Sequence, residues 1–194
     1  FSGLQAGPGA RQAADSLPKS PLAIPETAQT IKVDGVLDEE TWASALVIEL
    51  GYEVAPGENV APPVRTECLV ISNASALMVA FRCFDPQPGL IRAHYSDRDR
   101  IMSDDRIAFL LDTFNDERRN YFFGCNPLGV QRDGMETVGG DMSWDAIWDS
   151  VGRIHDQGYT IEMAIPFSSL QFQRSAGPQV WGLDISRWHP RSQR

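Results

Sequence analysis

The stretch GGDMSWDAIWDS, residues 139–150, combines two tryptophans four residues apart with three aspartates. An aromatic face packs against the C–H groups of a sugar ring and a carboxylate accepts hydrogen bonds from its hydroxyls, so this composition is typical of a saccharide site. The same residues could instead form an acidic calcium pocket or the start of a buried strand. Trp148 begins the predicted strand WDSVGRI and is expected in the core, whereas Trp144 is better placed for exposure. We predict Trp144, Asp141 and Asn126 as candidate sugar contacts.

A second acidic set surrounds the segment DDRIAFLLD, where Asp104 and Asp105 open a predicted strand, Asp112 ends it and Asp133 follows in a later loop. Glycoside hydrolysis needs two carboxyl groups about 5–10 Å apart. Neighbouring residues of a strand point to opposite faces, so Asp104 and Asp105 do not form such a pair. The sequence also lacks a Ser-His-Asp pattern, HExxH and a glycine-rich phosphate loop. We therefore predict no catalytic residues.

Short alternating strands and polar turns position these residues. The segments PVRTECLVISN and ALMVAFRCFD predict one hairpin, DRIAFLLDT and NYFFGCNP a second, and DSVGRIHDQGYTIEMAIPF a third. IKVDG predicts a further strand, VWGLDISRW the last one, and LDEETWASA a short helix capped by Asp38 and anchored by Trp42. The pattern predicts an all-β fold, an antiparallel two-sheet β-sandwich of the jelly-roll kind, with one short helix.

Composition and net charge exclude several classes of partner and site. The 194 residues are 42% hydrophobic, enough for one core, and the net charge of −9 argues against nucleic acid or an anionic membrane surface as partner. No run of 18 apolar residues occurs, so no transmembrane segment is predicted. The three cysteines lack CxxC spacing and are expected to be buried thiols, although a Cys68–Cys83 pair stays open. The chain starts at Phe1, and we expect that a signal peptide has been removed.

Residues 1–30 differ from the rest, being rich in Gly, Ala, Ser and Pro without strand or helix periodicity. We predict an extended arm over 1–30 and the β-sandwich over 31–194. Prolines lower the entropy lost when such an arm docks, so the arm is a candidate for binding a protein partner. The candidate contacts are its apolar residues Leu17, Pro18, Pro21, Leu22, Ile24 and Pro25.

Four segments together resemble the family 9 carbohydrate-binding modules. IKVDGVLDEETWASA is similar to their opening, LMVAFRCFDP to an apolar strand ending in Asp, SDDRIAFLLDTFNDERRNYFFGCNPLGVQRDG to a strand opened by paired aspartates, and YTIEMAIPFSSL to a Glu-x-x-Ile-Pro-Phe strand end. They occur in the family's order and cover residues 31 to about 188. YFFGCNPLGVQRDG and WGLDISRWHPR look like the subgroup that precedes an outer-membrane β-barrel. This chain stops at Arg194, so we expect a fragment or a stand-alone relative.

The resemblance implies a two-sheet sandwich, a periplasmic or extracellular setting, sugar binding and a structural calcium ion. Because calcium takes six to eight oxygen ligands and no EF-hand pattern is present, distant segments would have to supply them. The candidate ligands are Asp104, Asp105, Asp112 and Asp133. The first functional hypothesis is a non-catalytic carbohydrate-binding module. The alternatives are a structural or interaction subunit of a larger membrane-associated periplasmic assembly that docks through its N-terminal arm and has lost sugar binding, and an auxiliary domain of a glycoside hydrolase or outer-membrane protein.

Overall fold

The structure, a computed structural model, describes residues 20–137, 143–173 and 176–193. These residues form nine strands, β1 to β9: Leu46–Glu49, Thr66–Ser72, Ala76–Phe84, Arg106–Asp112, Arg119–Cys125, Gln131–Thr137, Asp149–His155, Gly158–Pro166 and Gly182–Trp188. The helical elements among them are short 3-10 turns at Glu40–Ser44, Pro88–Leu90, Phe167–Ser169 and Pro190–Gln193. No described helix is long and apolar enough to cross a membrane.

The strands form two antiparallel sheets, one of five strands in the order β1-β2-β3-β8-β7 and one of four in the order β6-β5-β4-β9. The predicted two-sheet β-sandwich and all three predicted hairpins are confirmed. Alternate residues of each strand face the space between the sheets, where Phe81, Phe109, Phe123 and Tyr159 are fully or almost fully buried. Burial of this apolar surface is the main favourable contribution to the fold.

The cysteines are buried within this core. Cys68, Val70, Val79, Phe81 and Cys83 share the inner face of β2 and β3, as their alternation predicts. All three cysteines are free thiols, so the possible Cys68–Cys83 pair is not formed. In the register of the hairpin Cys68 lies opposite Phe81, not opposite Cys83.

A covering segment, residues 31–45, lies on the outer face of the five-stranded sheet. Its residues Ile31 and Trp42 are buried against Leu69, Ile71 and other outward side chains of β2 and β3. The prediction that Trp42 anchors this segment is confirmed, since the indole is 2% exposed.

Two local predictions about the covering segment are wrong. IKVDG forms no strand, because the N–H groups of Asp34 and Gly35 donate to the carboxylate of Glu162 rather than to a neighbouring strand. The helix is a single 3-10 turn with Glu39, not Asp38, at its N-cap, and no side chain caps it. The turn ends early because Ala45 is already extended and the chain enters β1.

The described part of the arm lies against its own sheet. The N–H of Ser72, at the end of β2, donates to the carbonyl of Pro25 at 2.9 Å, and the N–H of Thr27 donates to the carbonyl of Ser72 at 2.8 Å. Pro21, Leu22 and Ile24 are exposed. Leu17 and Pro18 lie outside the described residues. Binding of a partner by the arm stays a prediction.

Candidate functional site

The segment 143–148 closes one side of the sandwich between the edge strands β6 and β7. Trp144 is half-buried and Trp148 buried, whereas Asp145 and Ile147, which alternate with them, are exposed. Trp144 packs 4.9 Å from the ring of Tyr121, so the ring that was expected to be exposed contributes mainly to packing. The core position of Trp148 is confirmed, and its ring meets Phe123 edge-on at 5.3 Å. Asp141 lies outside the described residues.

Asn126 is enclosed in a hydrogen-bond network that joins three loops. Its amide N–H groups donate to the carbonyl of His94 and to the carboxylate of Asp104, at 2.9 and 2.8 Å. Its oxygen accepts from the N–H groups of Leu128 and Val130, both at 3.0 Å. These contacts use both donors and both lone pairs of the amide, and the residue is 0% exposed. Asn126 therefore has no hydrogen-bonding group left for a sugar and serves to position the loops.

The four aspartates predicted as metal ligands do not meet at one site. Asp105 precedes β4 and Asp112 ends it, so seven residues of extended chain, about 23 Å, separate them. Asp112 accepts from the N–H groups of Phe114 and Glu117 and so stabilises the β4–β5 turn. The prediction of one shared site is wrong, because carboxylates at opposite ends of a strand cannot share an ion.

The other two carboxylates already have partners in the chain. Asp133 forms a buried ion pair with Arg98 and accepts from the N–H of Ala146 at 2.6 Å. Asp104 accepts from both the N–H and the ring of His94 and from Asn126. Burial alone would raise the pKa of Asp104, but these hydrogen bonds outweigh it and hold the pKa below its usual value. Both carboxylates therefore stabilise loops.

Asp105 lies instead near Asp85 and His189, and the ligand atoms of these three residues fall within 4.8 Å of one another. Two guanidinium groups beside them balance the negative charge of the carboxylates. Arg191 donates a hydrogen bond to Asp85, and Nη2 of Arg187 lies 3.9 Å from Oδ2 of Asp85. Calcium requires six to eight oxygen ligands and a negative site, whereas this cluster offers two carboxylates and an imidazole with two cations beside them. The predicted calcium ion does not fit here.

The outer face of the four-stranded sheet carries a different set of side chains. Phe109, Phe123 and Ile185 point into the core, so the residues that alternate with them point outward. Ser186 and Gly124 flank Ala108 in the register, and Gly124 also pairs with Arg132, so the four form one row across the sheet. Three of the four are small, so the middle of this outer face lies lower than its border, and Ala108 and Gly124 are buried beneath the larger side chains on either side.

Aromatic rings and guanidinium groups border this shallow row. Arg106 pairs with Trp188 across β4 and β9, and its guanidinium lies 4.5 Å from the centre of the indole ring. On the other side, the guanidinium of Arg132 lies 5.4 Å from the ring of Phe122. Trp188 is 37% exposed. We define the candidate face by the residues Arg106, Ala108, Phe122, Gly124, Arg132, Ser186 and Trp188.

The Phe122 ring occupies space that is free because Gly124 has no side chain. A Cβ atom at residue 124 would lie 2.8 Å from an edge carbon of that ring, closer than real Cβ atoms approach. The ring therefore lies partly over residue 124 and presents an aromatic surface on the sheet. An aromatic surface, a shallow floor and several guanidinium N–H donors are the groups that bind the C–H faces and hydroxyls of a saccharide.

Neither a family model nor a curated protein matches the chain. Among solved structures, a family 9 carbohydrate-binding module from Caldicellulosiruptor kristjanssonii in complex with cellotriose matches with a TM-score of 0.55 and 16% identity, over 83% of this chain and 73% of that one. A family 9 module from the same organism in complex with glucose matches with a TM-score of 0.53 and 15% identity, over 84% of this chain and 75% of that one. A candidate carbohydrate-binding protein from Bacteroides uniformis matches with a TM-score of 0.66 and 13% identity, over 86% of this chain and 82% of that one. The chain has a family 9-like fold.

This family 9-like fold confirms the resemblance at the level of architecture, while the barrel-associated subgroup stays a prediction. The candidate face does not follow from the sequence pattern, because VWGLDISRW does not determine on which side of its strand Trp188 lies and no motif marks Arg106, Phe122 or Arg132 as binding residues. One signal was available. In DDRIAFLLD the buried positions Ile107, Phe109 and Leu111 alternate with Arg106 and Ala108, which places the latter two outside.

Proposed function

We propose that the chain is a non-catalytic carbohydrate-binding module whose ligand lies on the candidate face. The observation that carries the proposal is Trp188, an exposed indole fixed on the open sheet by Arg106 and bordering a shallow row of small residues. The fold supports the proposal, since modules of similar architecture were solved with cellotriose and glucose.

The chemistry of the face suits a neutral or charged sugar ring. The indole of Trp188 can pack against the ring C–H groups, and aromatic surface of this kind makes a large contribution to binding at low entropic cost. The guanidinium groups of Arg106 and Arg132 donate to hydroxyl oxygens. Ser186 and Asp184, both exposed on β9, can accept hydrogen bonds from hydroxyl groups. The side chains sit on paired strands, so little of the site must be ordered on binding.

The carboxylates of this face do not favour glycoside hydrolysis. Asp112, at the end of β4 on this face, is buried, and its two oxygens accept from the N–H groups of Phe114 and Glu117. Asp184 lies on edge strand β9 and Glu136 on the opposite edge strand β6, with β4 and β5 between them. Three strand spacings are about 14 Å, more than the roughly 5–10 Å at which two carboxyl groups act on one glycosidic bond. This separation supports a binding role without catalysis.

Isothermal titration calorimetry with glucose, cellotriose and tri-galacturonate tests the proposal. We expect binding of at least one sugar and a loss of about tenfold or more in Trp188→Ala, since tenfold corresponds to about 1.4 kcal/mol. Tyr52→Ala is the matched control, because Tyr52 is an exposed aromatic residue that follows β1 at the edge of the other sheet. Circular dichroism verifies that each variant folds. If no sugar binds at millimolar concentration, or if folded Trp188→Ala binds as well as the parent, the proposal is wrong.

We also propose a periplasmic or cell-surface location, supported by the sequence resemblance to secreted modules. Fractionation of the cells that produce the protein, followed by immunodetection, tests this location. Detection in the cytoplasmic fraction alone would contradict it.

A further inference from the structure

Two arginines of the candidate face have no carboxylate partner among the described residues. Five arginines elsewhere in the described structure form ion pairs with acids: Arg65 and Arg82 with Glu67, Arg98 with Asp133, and Arg187 and Arg191 with Asp85. Arg106 instead donates to the carbonyls of Met102 and Asp104, and the described contacts of Arg132 are with Met102 and the Phe122 ring. The chain has a net charge of −9, yet among the described residues these two neighbouring cations form no ion pair with a carboxylate.

The two guanidinium groups are also held close to each other. Arg106 donates to the carbonyl of Met102 at 2.7 Å, and Arg132 contacts the sulfur of the same residue. Partial burial lowers the pKa of Arg106, and the nearby positive charge of Arg132 lowers it further, while the carboxylate of Asp104 opposes both effects. This repulsion destabilises the unliganded protein slightly, and an anion placed between the two groups would remove it.

Aromatic rings fix the direction of both groups. Arg106 lies over Trp188, and Arg132 lies over Phe122. Stacking on a ring leaves the edge of a guanidinium accessible, and the N–H donors of Nε and Nη2, which the contacts with Met102 and Asp104 do not use, can bind a planar carboxylate in a bidentate manner. Because the donors are already oriented, less side-chain entropy is lost when a ligand binds.

Resting on the proposed function, we propose that the glycan recognised by the candidate face is acidic. A uronic acid residue would place its ring against Trp188 and its carboxylate between Arg106 and Arg132. The two positive charges match one or two carboxylates of a uronate oligosaccharide. The net negative charge of the chain repels polyanions at long range, so selectivity must come from this local pair.

Calorimetry with tri-galacturonate and cellotriose, at about 50 mM and 500 mM NaCl, tests the inference. We expect at least tenfold tighter binding of tri-galacturonate at low salt and a clear weakening at high salt. Arg106→Gln and Arg132→Gln should each weaken tri-galacturonate binding about tenfold and cellotriose binding less than threefold. Arg118→Gln makes the same change in net charge in the exposed β4–β5 turn and should change neither affinity. Poly-L-glutamate supplies carboxylates without a sugar ring.

The outcomes separate the two proposals. If cellotriose binds as tightly as tri-galacturonate and depends on Trp188, the acidic class is wrong and the carbohydrate-binding function stands. If poly-L-glutamate binds as well as tri-galacturonate, recognition is of charge alone and the acidic-sugar inference is also wrong. If neither sugar binds, the proposed function itself fails. Tri-galacturonate binding that Arg118→Gln weakens as much as Arg132→Gln would likewise contradict the inference, because the effect would follow net charge.

Discussion

Glu162 is a buried carboxylate that joins the covering segment to the five-stranded sheet. It lies on β8, is 0% exposed, and accepts from the N–H groups of Asp34 and Gly35 at 2.8 and 2.7 Å. Its second oxygen accepts from the indole N–H of Trp42 at 3.1 Å. Two of the segments that resemble the family's motifs, IKVDGVLDEETWASA and YTIEMAIPFSSL, therefore meet at one side chain, and we expect its replacement to loosen the covering segment.

The substitution Glu162→Gln isolates one of these three hydrogen bonds. The amide oxygen of Gln can still accept from Asp34 and Gly35, but the NH2 group then faces the indole N–H of Trp42, and two donors meet. A hydrogen bond to a charged group contributes about 1.5–3 kcal/mol, so we expect a loss of about 2 kcal/mol in the free energy of unfolding. Trp42→Phe removes the other partner of the same bond. The coupling energy between the two substitutions should be about 1.5–3 kcal/mol.

The pH dependence gives a second test. Burial raises the pKa of Glu162, although the N–H groups of Asp34 and Gly35 oppose the effect. The folded chain therefore holds this proton more tightly than the unfolded chain, where the pKa is near 4.5. Stability should fall as the pH rises from about 4.5 through the folded pKa, and it should level off above that value. Gln does not titrate, so this decrease should be absent from Glu162→Gln.

Urea denaturation of the parent, the two single variants and the double variant, at several pH values from 4 to 8, measures both quantities. A coupling energy below about 0.5 kcal/mol would refute the assigned bond between Glu162 and Trp42. A parent stability that rises between pH 4.5 and 6, with no difference in slope from Glu162→Gln, would refute the assigned role of burial.

Two further predictions concern the loops and the thiols. Asn126→Ala should lower the free energy of unfolding by about 2–4 kcal/mol, because Asp104 loses a donor and the N–H groups of Leu128 and Val130 lose their acceptor; thermal denaturation that matches the parent would contradict this. Burial raises the pKa of Cys83 to about 11 and that of Cys125 to about 12. Ellman's reagent at pH 8 should therefore find no reactive thiol in the folded protein and three after unfolding in urea; rapid labelling of the folded protein would show that the core opens.

Sequence patterns predicted most of the sandwich because strand alternation follows directly from burial. Two strands were missed, for physical reasons that differ. β1 has only four residues and follows a helix-like segment, so it offers too short a pattern. β6, with the sequence QRDGMET, is an edge strand whose buried inner position is the polar Asp133. A charged residue at an inward position breaks the apolar alternation on which strand prediction depends.

The functional residues were harder to predict, because the same residue types serve packing and binding. Trp188 is the last residue of β9 and Trp144 lies in the segment before β7, yet Trp144 packs on Tyr121 whereas Trp188 lies on the outer face of its sheet. The difference depends on which side of the sandwich each segment passes, and that is a long-range property. Asn126 likewise has the chemistry of a sugar contact, but the neighbouring loops use all of its hydrogen bonds.

The two outer faces of the sandwich differ, and this difference is the main argument for where a ligand binds. The covering segment buries Trp42 and Ile31 on the five-stranded sheet, whereas no hydrophobic cluster of the described residues lies on the outer face of the four-stranded sheet. A ligand on the latter face would touch neither Glu162 nor the covering segment. Folded Glu162→Gln should therefore bind sugar with the affinity of the parent. Trp188→Ala should bind sugar more weakly, although we expect the free energy of unfolding of this variant to be nearer to that of the parent. The opposite pattern would place the binding surface on the covered side of the protein.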